Sequence, residues 1–143
     1  MTDALAAVAI FISLVSLFFS YLTLRRDTLR VRVSAKYLNG LYEDRPHILL
    51  EIVNIGRRPL IILKIGGIGS DNDWTATLER PEEGGIRLGE HERYVKKFYP
   101  EDIYSVTPDY IRTDFIKLFA QDSLGNNHIA EGSDTAIFQM KFK

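Results

Sequence analysis

The sequence predicts one membrane-spanning α-helix followed by an all-β sandwich of about seven strands. Three observations carry this expectation. The stretch ALAAVAIFISLVSLFFSYLTL at positions 4–24 contains no charged residue. From Leu29 onward uniform apolarity gives way to short runs in which apolar and polar residues alternate, the period of half-buried strands. Turn residues punctuate those runs at spacings of roughly 8–15 residues, and no long helical period follows the first segment.

The apolar segment comes first. As a helix, Ala4 to Leu24 extends about 31 Å, against a hydrocarbon core about 30 Å thick. A core helix of that length would show a polar face, and nothing here is more polar than Ser, Thr or Tyr. A cleaved export signal would carry a basic leader and a small-residue cleavage site. Here the leader is Met-Thr-Asp, and Phe, Tyr and Leu crowd the far end. The expectation is a retained transmembrane helix over 1–26 with a short external N-terminus. A basic juxtamembrane segment over 27–36 then runs into the first strand of a sandwich occupying 30–143.

Charge sets the orientation. Arg25, Arg26, Arg30, Arg32 and Lys36 follow the span, opposed only by Asp27, and no Lys or Arg precedes it. The positive-inside rule puts the C-terminal domain in the cytoplasm and the short N-terminus outside, with Tyr21 at the interface. Arg25, Arg26, Arg30 and Arg32 either bind anionic headgroups or simply fix topology. Beyond them charge is balanced: without Asp3 the chain has 18 basic and 18 acidic residues, so nucleic acid is not an expected partner. Cysteine is absent, which excludes disulfides, thiolate nucleophiles and cysteine-held zinc.

Within the helix, Ala6, Ala9, Ser13, Ser16, Ser20 and Thr23 recur at alternating spacings of three and four. That heptad rhythm lines them along one seam suited to close, left-handed helix–helix packing. The hydroxyls offer interhelical hydrogen bonds worth under about 1 kcal/mol each. The seam predicts a homo-oligomer formed through the membrane helix.

The strands are read in order. RVRVSAKY (30–37) alternates cleanly, and the turn LNG follows. HILLEIVN (47–54) and the β-branched LIILKIGGIG (60–69) flank the turn NIGRRP, with the second run expected at the centre of a sheet. WTATL (74–78) and RYVKKFY (93–99) are shorter strands. Pro100 with Glu101 and Asp102 opens a short helical turn. DFIKLFAQ (114–121) leads into the turn DSLGNN, HIA pairs back, and IFQMKFK (137–143) alternates as a last edge strand. The expected core is Val31, Val33, Leu50, Ile52, Ile62, Ile65, Trp74, Val95, Phe98, Ile116, Leu118 and Phe119.

LLEIVNIGRRPLIILKIGG, then RLGEHERY, then IKLFAQDSLGNNH resembles the immunoglobulin-like domains of small bacterial single-pass membrane proteins. The resemblance rests on turn signatures and covers most of positions 30–130. It implies an immunoglobulin-like sandwich of generally unassigned function and brings no catalytic set. The chain departs from the pattern in its C-terminal IFQMKFK.

Catalytic chemistry is not legible. His47, His91 and His128 lack metal-ligand spacing and are expected at the surface. Asp71 and Asp73 lack the glycine and closing Glu of a calcium loop. Glu82, Glu83, Glu90 and Glu92 fall in glycine-rich loops, and Gly66-Gly67-Ile68-Gly69 lacks the Lys-Ser/Thr of a phosphate loop, so it reads as a strand end or bulge. No cofactor or metal is expected. Arg57 and Arg58 share an exposed turn, where they either keep the tip soluble or meet an acidic partner. The functional expectation is a self-associating, non-enzymatic membrane protein whose sandwich binds a partner or small ligand. The alternative is a membrane effector whose helix bundle perturbs or permeabilises the bilayer when the sandwich senses a ligand.

Overall fold

A computed structural model of the chain describes residues 2–26, 30–40, 45–70, 75–81, 84–106 and 112–142. The first apolar stretch is one continuous helix, α1 (Thr2–Arg26). Its Leu5–Thr23 portion is long and apolar enough to cross a membrane, and it is not buried against the rest of the chain. Among the described residues nine strands follow: β1 (Val31–Leu38), β2 (His47–Asn54), β3 (Leu60–Gly69), β4 (Thr75–Glu79), β5 (Ile86–Leu88), β6 (Arg93–Phe98), β7 (Tyr104–Val106), β8 (Arg112–Asp122) and β9 (Asn127–Ile129). A single 3₁₀ turn, Pro100–Asp102, separates β6 from β7, and a helix, α2 (Ser133–Phe142), ends the fold.

The strands pair antiparallel in two sheets that face each other as a β-sandwich. One has the order β1-β2-β6, with Val33 opposite Ile52 and Ile52 opposite Tyr94. In the other, β3 and β8 run side by side, with Ile65 opposite Ala120. The outer edge of β3 carries β5 and then β4, and the outer edge of β8 carries β7 and β9. Alternation turns Ile48, Leu50 and Ile52 of β2 inward, and register shifts within β3 and β8 bring Ile62 with Ile65, and Phe115 with Leu118 and Ala120, to meet them. Burial of each Ile, Leu or Phe among them contributes about 1.5–3 kcal/mol.

Two glycines let β3 pass between aromatic rings. A Cβ on Gly67 would lie 2.2 Å from the Phe115 ring, and one on Gly66 would lie 2.6 Å from Phe119 and 2.5 Å from the Ala76 carbonyl. Successive residues of a strand face opposite sides, so Phe115 fills the core while Phe119 is buried on the other face, beneath the Lys64 ammonium 5.5 Å from its centroid. Register shifts flank the same stretch, so the expected bulge is present inside the strand.

Several expectations are corrected. The described part of IFQMKFK, residues 137–142, is helical, the second half of α2, and is no edge strand. Its alternation at Phe138, Met140 and Phe142 competes with a helical period at Ser133, Ala136, Ile137 and Met140. Gly132 at φ +74°, followed by Ser133 and Asp134, supplies the helix start that decides between them. The helix packs on β1 and β8 through Ala136 and Ile137. Val95 is 42 % exposed, because Phe98 fixes the parity of β6 and turns Tyr94 and Lys96 inward instead. Val31 and Ile116 are half-buried. His47 is buried where a surface position was expected, its Nδ1 lying 2.7 Å from the Arg45 carbonyl and its ring 5.9 Å from that of Tyr99. The strand count exceeds seven because β5 and β7, three residues each, are too short to show alternation. Trp74 lies outside the described residues.

Candidate functional site

Helix α1 presents the six seam residues on one side. At about 100° per residue, Ala6, Ala9, Ser13, Ser16, Ser20 and Thr23 fall within an arc of about 100°. Every one of them is exposed. The hydroxyls of Ser13 and Thr23 donate to the carbonyls of Ala9 and Phe19, each at 2.9 Å, one turn back in the same helix. Both therefore satisfy their donors internally, and close backbone approach, rather than new interhelical hydrogen bonds, is what they offer a neighbouring helix.

The other sequence-derived candidates converge on one end of the sandwich, where the chain arrives from α1. The carbonyl of Arg30 accepts hydrogen bonds from the amides of Ile55 and Gly56, at 2.9 and 3.1 Å. The turn bearing Arg57 and Arg58 therefore sits beside the entry point of the domain. Arg30, Arg32, Arg57 and Arg58 are exposed, and Arg57 Nε lies 3.9 Å from Glu90. Leu22 of α1, Arg30, Ile55, Arg57 and His91 line a cleft of about 610 Å³ there. Arg25 and Arg26 belong to the last turn of α1.

Asn54 builds this end. It is fully buried at the last position of β2. Its amide group donates to the carbonyls of Arg58 (2.8 Å) and Leu88 (3.1 Å), and its Oδ1 accepts from the Gly56 amide (3.0 Å). Its backbone joins the next turn, taking the His91 amide and donating to the Glu92 carbonyl. One side chain thus fixes the 55–58 turn and the 88–92 turn together. His91 adopts φ +61° within the second, and Glu92 closes it by accepting the Gly89 amide at 2.7 Å.

A second buried polar group organises the neighbouring turn. Asp122 is 2 % exposed and accepts hydrogen bonds from the amides of Leu124 and Asn126, from the Asn126 side chain and from His128 Nε2 at 2.8 Å. Burial pushes this carboxyl up, but the His128 bond and the bonds from Asn126 and Leu124 outweigh it and hold it below its ordinary range. The Ser123 amide donates to the Ile61 carbonyl, which brings the turn to the same end as Arg57. At its tip Leu124 is 69 % exposed. Neither Asn54 nor Asp122 was singled out from the sequence beyond turn-forming character. The readable signal was an Asn or Asp closing an apolar strand two or three residues before a Gly.

A groove between the sheets offers a second polar site. Lys96 of β6 donates to Glu79 Oε1 of β4 at 2.9 Å, joining the two sheets. The bond to Glu79 raises the Lys96 pKa against the opposing effect of burial. Burial, and then the charge of Glu79, raises that of Tyr94 beside them. Thr77, Phe98, Tyr99, Asp102 and Tyr104 complete a cleft of about 520 Å³. The expected chemistry-bearing loops do not converge on it: Glu90 and Glu92 lie in the turn beside Arg57, and Asp71, Asp73, Glu82 and Glu83 lie outside the described residues. His91 is exposed and His128 is bound to Asp122. Among the described residues no cluster of three His, Asp or Glu side chains is arranged to hold a metal ion.

The chain is thus defined as a mostly antiparallel β-sandwich preceded by a helix that could span a membrane. Compared with protein-family models, curated proteins and solved structures, it matches none.

Proposed function

We propose that the chain is a non-enzymatic, single-pass membrane protein that self-associates through α1 and holds an immunoglobulin-like sandwich in the bacterial cytoplasm to bind a partner or small ligand. The observation that carries this is α1 itself. None of its Leu5–Thr23 residues is buried by its own domain, yet it sets six small residues along one arc and most of its Leu, Ile and Phe elsewhere. Lipid accommodates the large apolar faces, and a second helix accommodates the small one. Arg25 and Arg26 at its C-terminal end, with no basic residue before it, support a cytoplasmic domain and an external N-terminus. Support for the immunoglobulin-like reading comes from strand order: β1-β2-β6 opposite β3-β8-β9 follows the A-B-E and C-F-G arrangement of that fold. The groove at Lys96 and Glu79 gives the sandwich a polar cleft of ligand size.

Fusions at the C-terminus test the arrangement. A cytoplasmic fluorescent reporter should be bright and an alkaline phosphatase fusion inactive; the opposite pattern would overturn the orientation. The effector reading is favoured by the polar hydroxyls within the seam, which suit a lumen. Dye release from liposomes carrying the full chain separates the two, because a scaffold leaves the dye inside.

A further inference from the structure

We propose that the α1-proximal end of the sandwich is itself a bilayer-contact surface. It rests on the anionic headgroups around the exit point of α1, with Arg57 and Arg58 at phosphate level and Ile55 and Leu124 at the acyl-chain boundary. This inference rests on the span proposed for α1, and it assigns to the membrane a surface that the sequence leaves open between solubility and an acidic protein.

Chain geometry selects the occupant. Only three residues lie between Arg26, the end of α1, and Arg30, which is bonded to the 55–58 turn. Four Cα steps at about 3.3–3.6 Å reach no further than about 14 Å. The domain therefore cannot move this end away from the interface, and a surface tethered so closely meets headgroups at a high effective concentration. Its chemistry suits them. Ile55 is 39 % exposed and Leu124 is 69 % exposed, each at a turn tip, and Arg57 and Arg58 stand between them in the chain order of the same end. Exposed apolar side chains at the same end of a domain as exposed arginines combine acyl-boundary and phosphate contacts, as interfacial anchors do. Two acidic residues of this end are engaged locally: Glu90 lies beside Arg57 and His91, and Glu92 holds the Gly89 amide. Asn54 and Asp122 lock both turns, so presenting the tips requires little further ordering.

The absence of cysteine makes single-site labelling of the full chain straightforward. An environment-sensitive fluorophore is placed at Ile55→Cys, Leu124→Cys, Leu14→Cys or, at the opposite end of the sandwich, Glu101→Cys. The protein is reconstituted in phosphatidylcholine vesicles with or without phosphatidylserine, and quenching by shallow nitroxide-labelled lipid is read. Labels at 55 and 124 should be quenched several-fold more than the label at 101, more strongly with phosphatidylserine, and less at high salt. Arg57→Glu/Arg58→Glu should lower the quenching of the 124 label several-fold and remove its dependence on phosphatidylserine while the thermal melt is unchanged. Leu124→Ser should weaken quenching at 55 by a route that leaves the arginines in place. If 55 and 124 match 101 in both lipids while Leu14→Cys reports hydrocarbon, the span stands and the docking surface is wrong. Quenching indifferent to phosphatidylserine and to the double charge reversal also overturns it. A Leu14→Cys label in water would remove the span and the docking surface together.

Discussion

Replacing Asn54 by alanine deletes three hydrogen bonds from a site with no exposure. The carbonyls of Leu88 and Arg58 lose the Asn54 donor, and the Gly56 amide keeps only the Arg30 carbonyl as acceptor. Each bond contributes about 0.5–1.5 kcal/mol, and a buried group left without a partner costs about 1–3 kcal/mol, so a total of about 3 kcal/mol is a fair expectation. The sandwich spans 30–143, and at about 0.05–0.15 kcal/mol per residue its whole stability is about 6–17 kcal/mol. A change of about 3 kcal/mol should lower Tm by about 12 °C at this size. Asn54→Asp is the sharper variant, because it keeps the acceptor for Gly56 but turns a negative oxygen toward two carbonyls; it should destabilise at least as much. The assay is thermal circular dichroism of the full chain in nanodiscs, followed in the β-sheet band, with Asn39→Ala as an exposed control expected to cost under about 0.5 kcal/mol. A Tm for Asn54→Ala within about 2 °C of the wild type would refute the claim that this side chain holds the two turns together.

Other outcomes follow from the same geometry. Asp122→Ala removes the acceptor of the Leu124 and Asn126 amides and of His128, and should cost about 2–4 kcal/mol in the same melt. Because the Asp122 carboxyl is held below its ordinary 3.8 in the folded state, its contribution is complete above that value and is lost as pH falls through the lowered one; faster amide exchange of residues 123–126 should appear only on acidification below about pH 4. Gly67→Ala should destabilise by about 3 kcal/mol, since the new methyl overlaps the Phe115 ring, and Phe115→Leu should recover part of that loss in a double-mutant cycle.

Much of the fold is legible where one physical signal acts alone. HILLEIVN and LIILKIGGIG are β2 and β3 with the expected bounds, because apolar β-branched runs between turn residues leave little choice. The C-terminus is not legible because two periods fit the same letters, and only Gly132 and the Ser-Asp start separate them. Val95 was placed in the core on hydrophobicity alone, whereas Phe98 sets the parity of β6 and brings Lys96 inside to meet Glu79, a partner 17 residues away that no local pattern reveals. The site shows the same division. Arg57 and Arg58 are recognisable as a turn pair, but their position beside Arg30 and Ile55 depends on Asn54, whose partners lie on separate turns. The seam of α1 is visible from spacing, while the internal capture of the Ser13 and Thr23 hydroxyls is a property of the folded helix that spacing does not reveal.

The central claim is that α1 is an assembly element, and the stoichiometry of the full chain in nanodiscs tests it most directly. Mass measured at protein-to-lipid ratios low enough to prevent chance co-insertion should give a defined oligomer. Ser13→Leu with Ser16→Leu, which fills the seam while keeping the helix apolar, should reduce that oligomer to monomer and leave the sandwich melt unchanged. A wild-type chain that is monomeric at every ratio, or an oligomer unaffected by both leucines, would contradict the account.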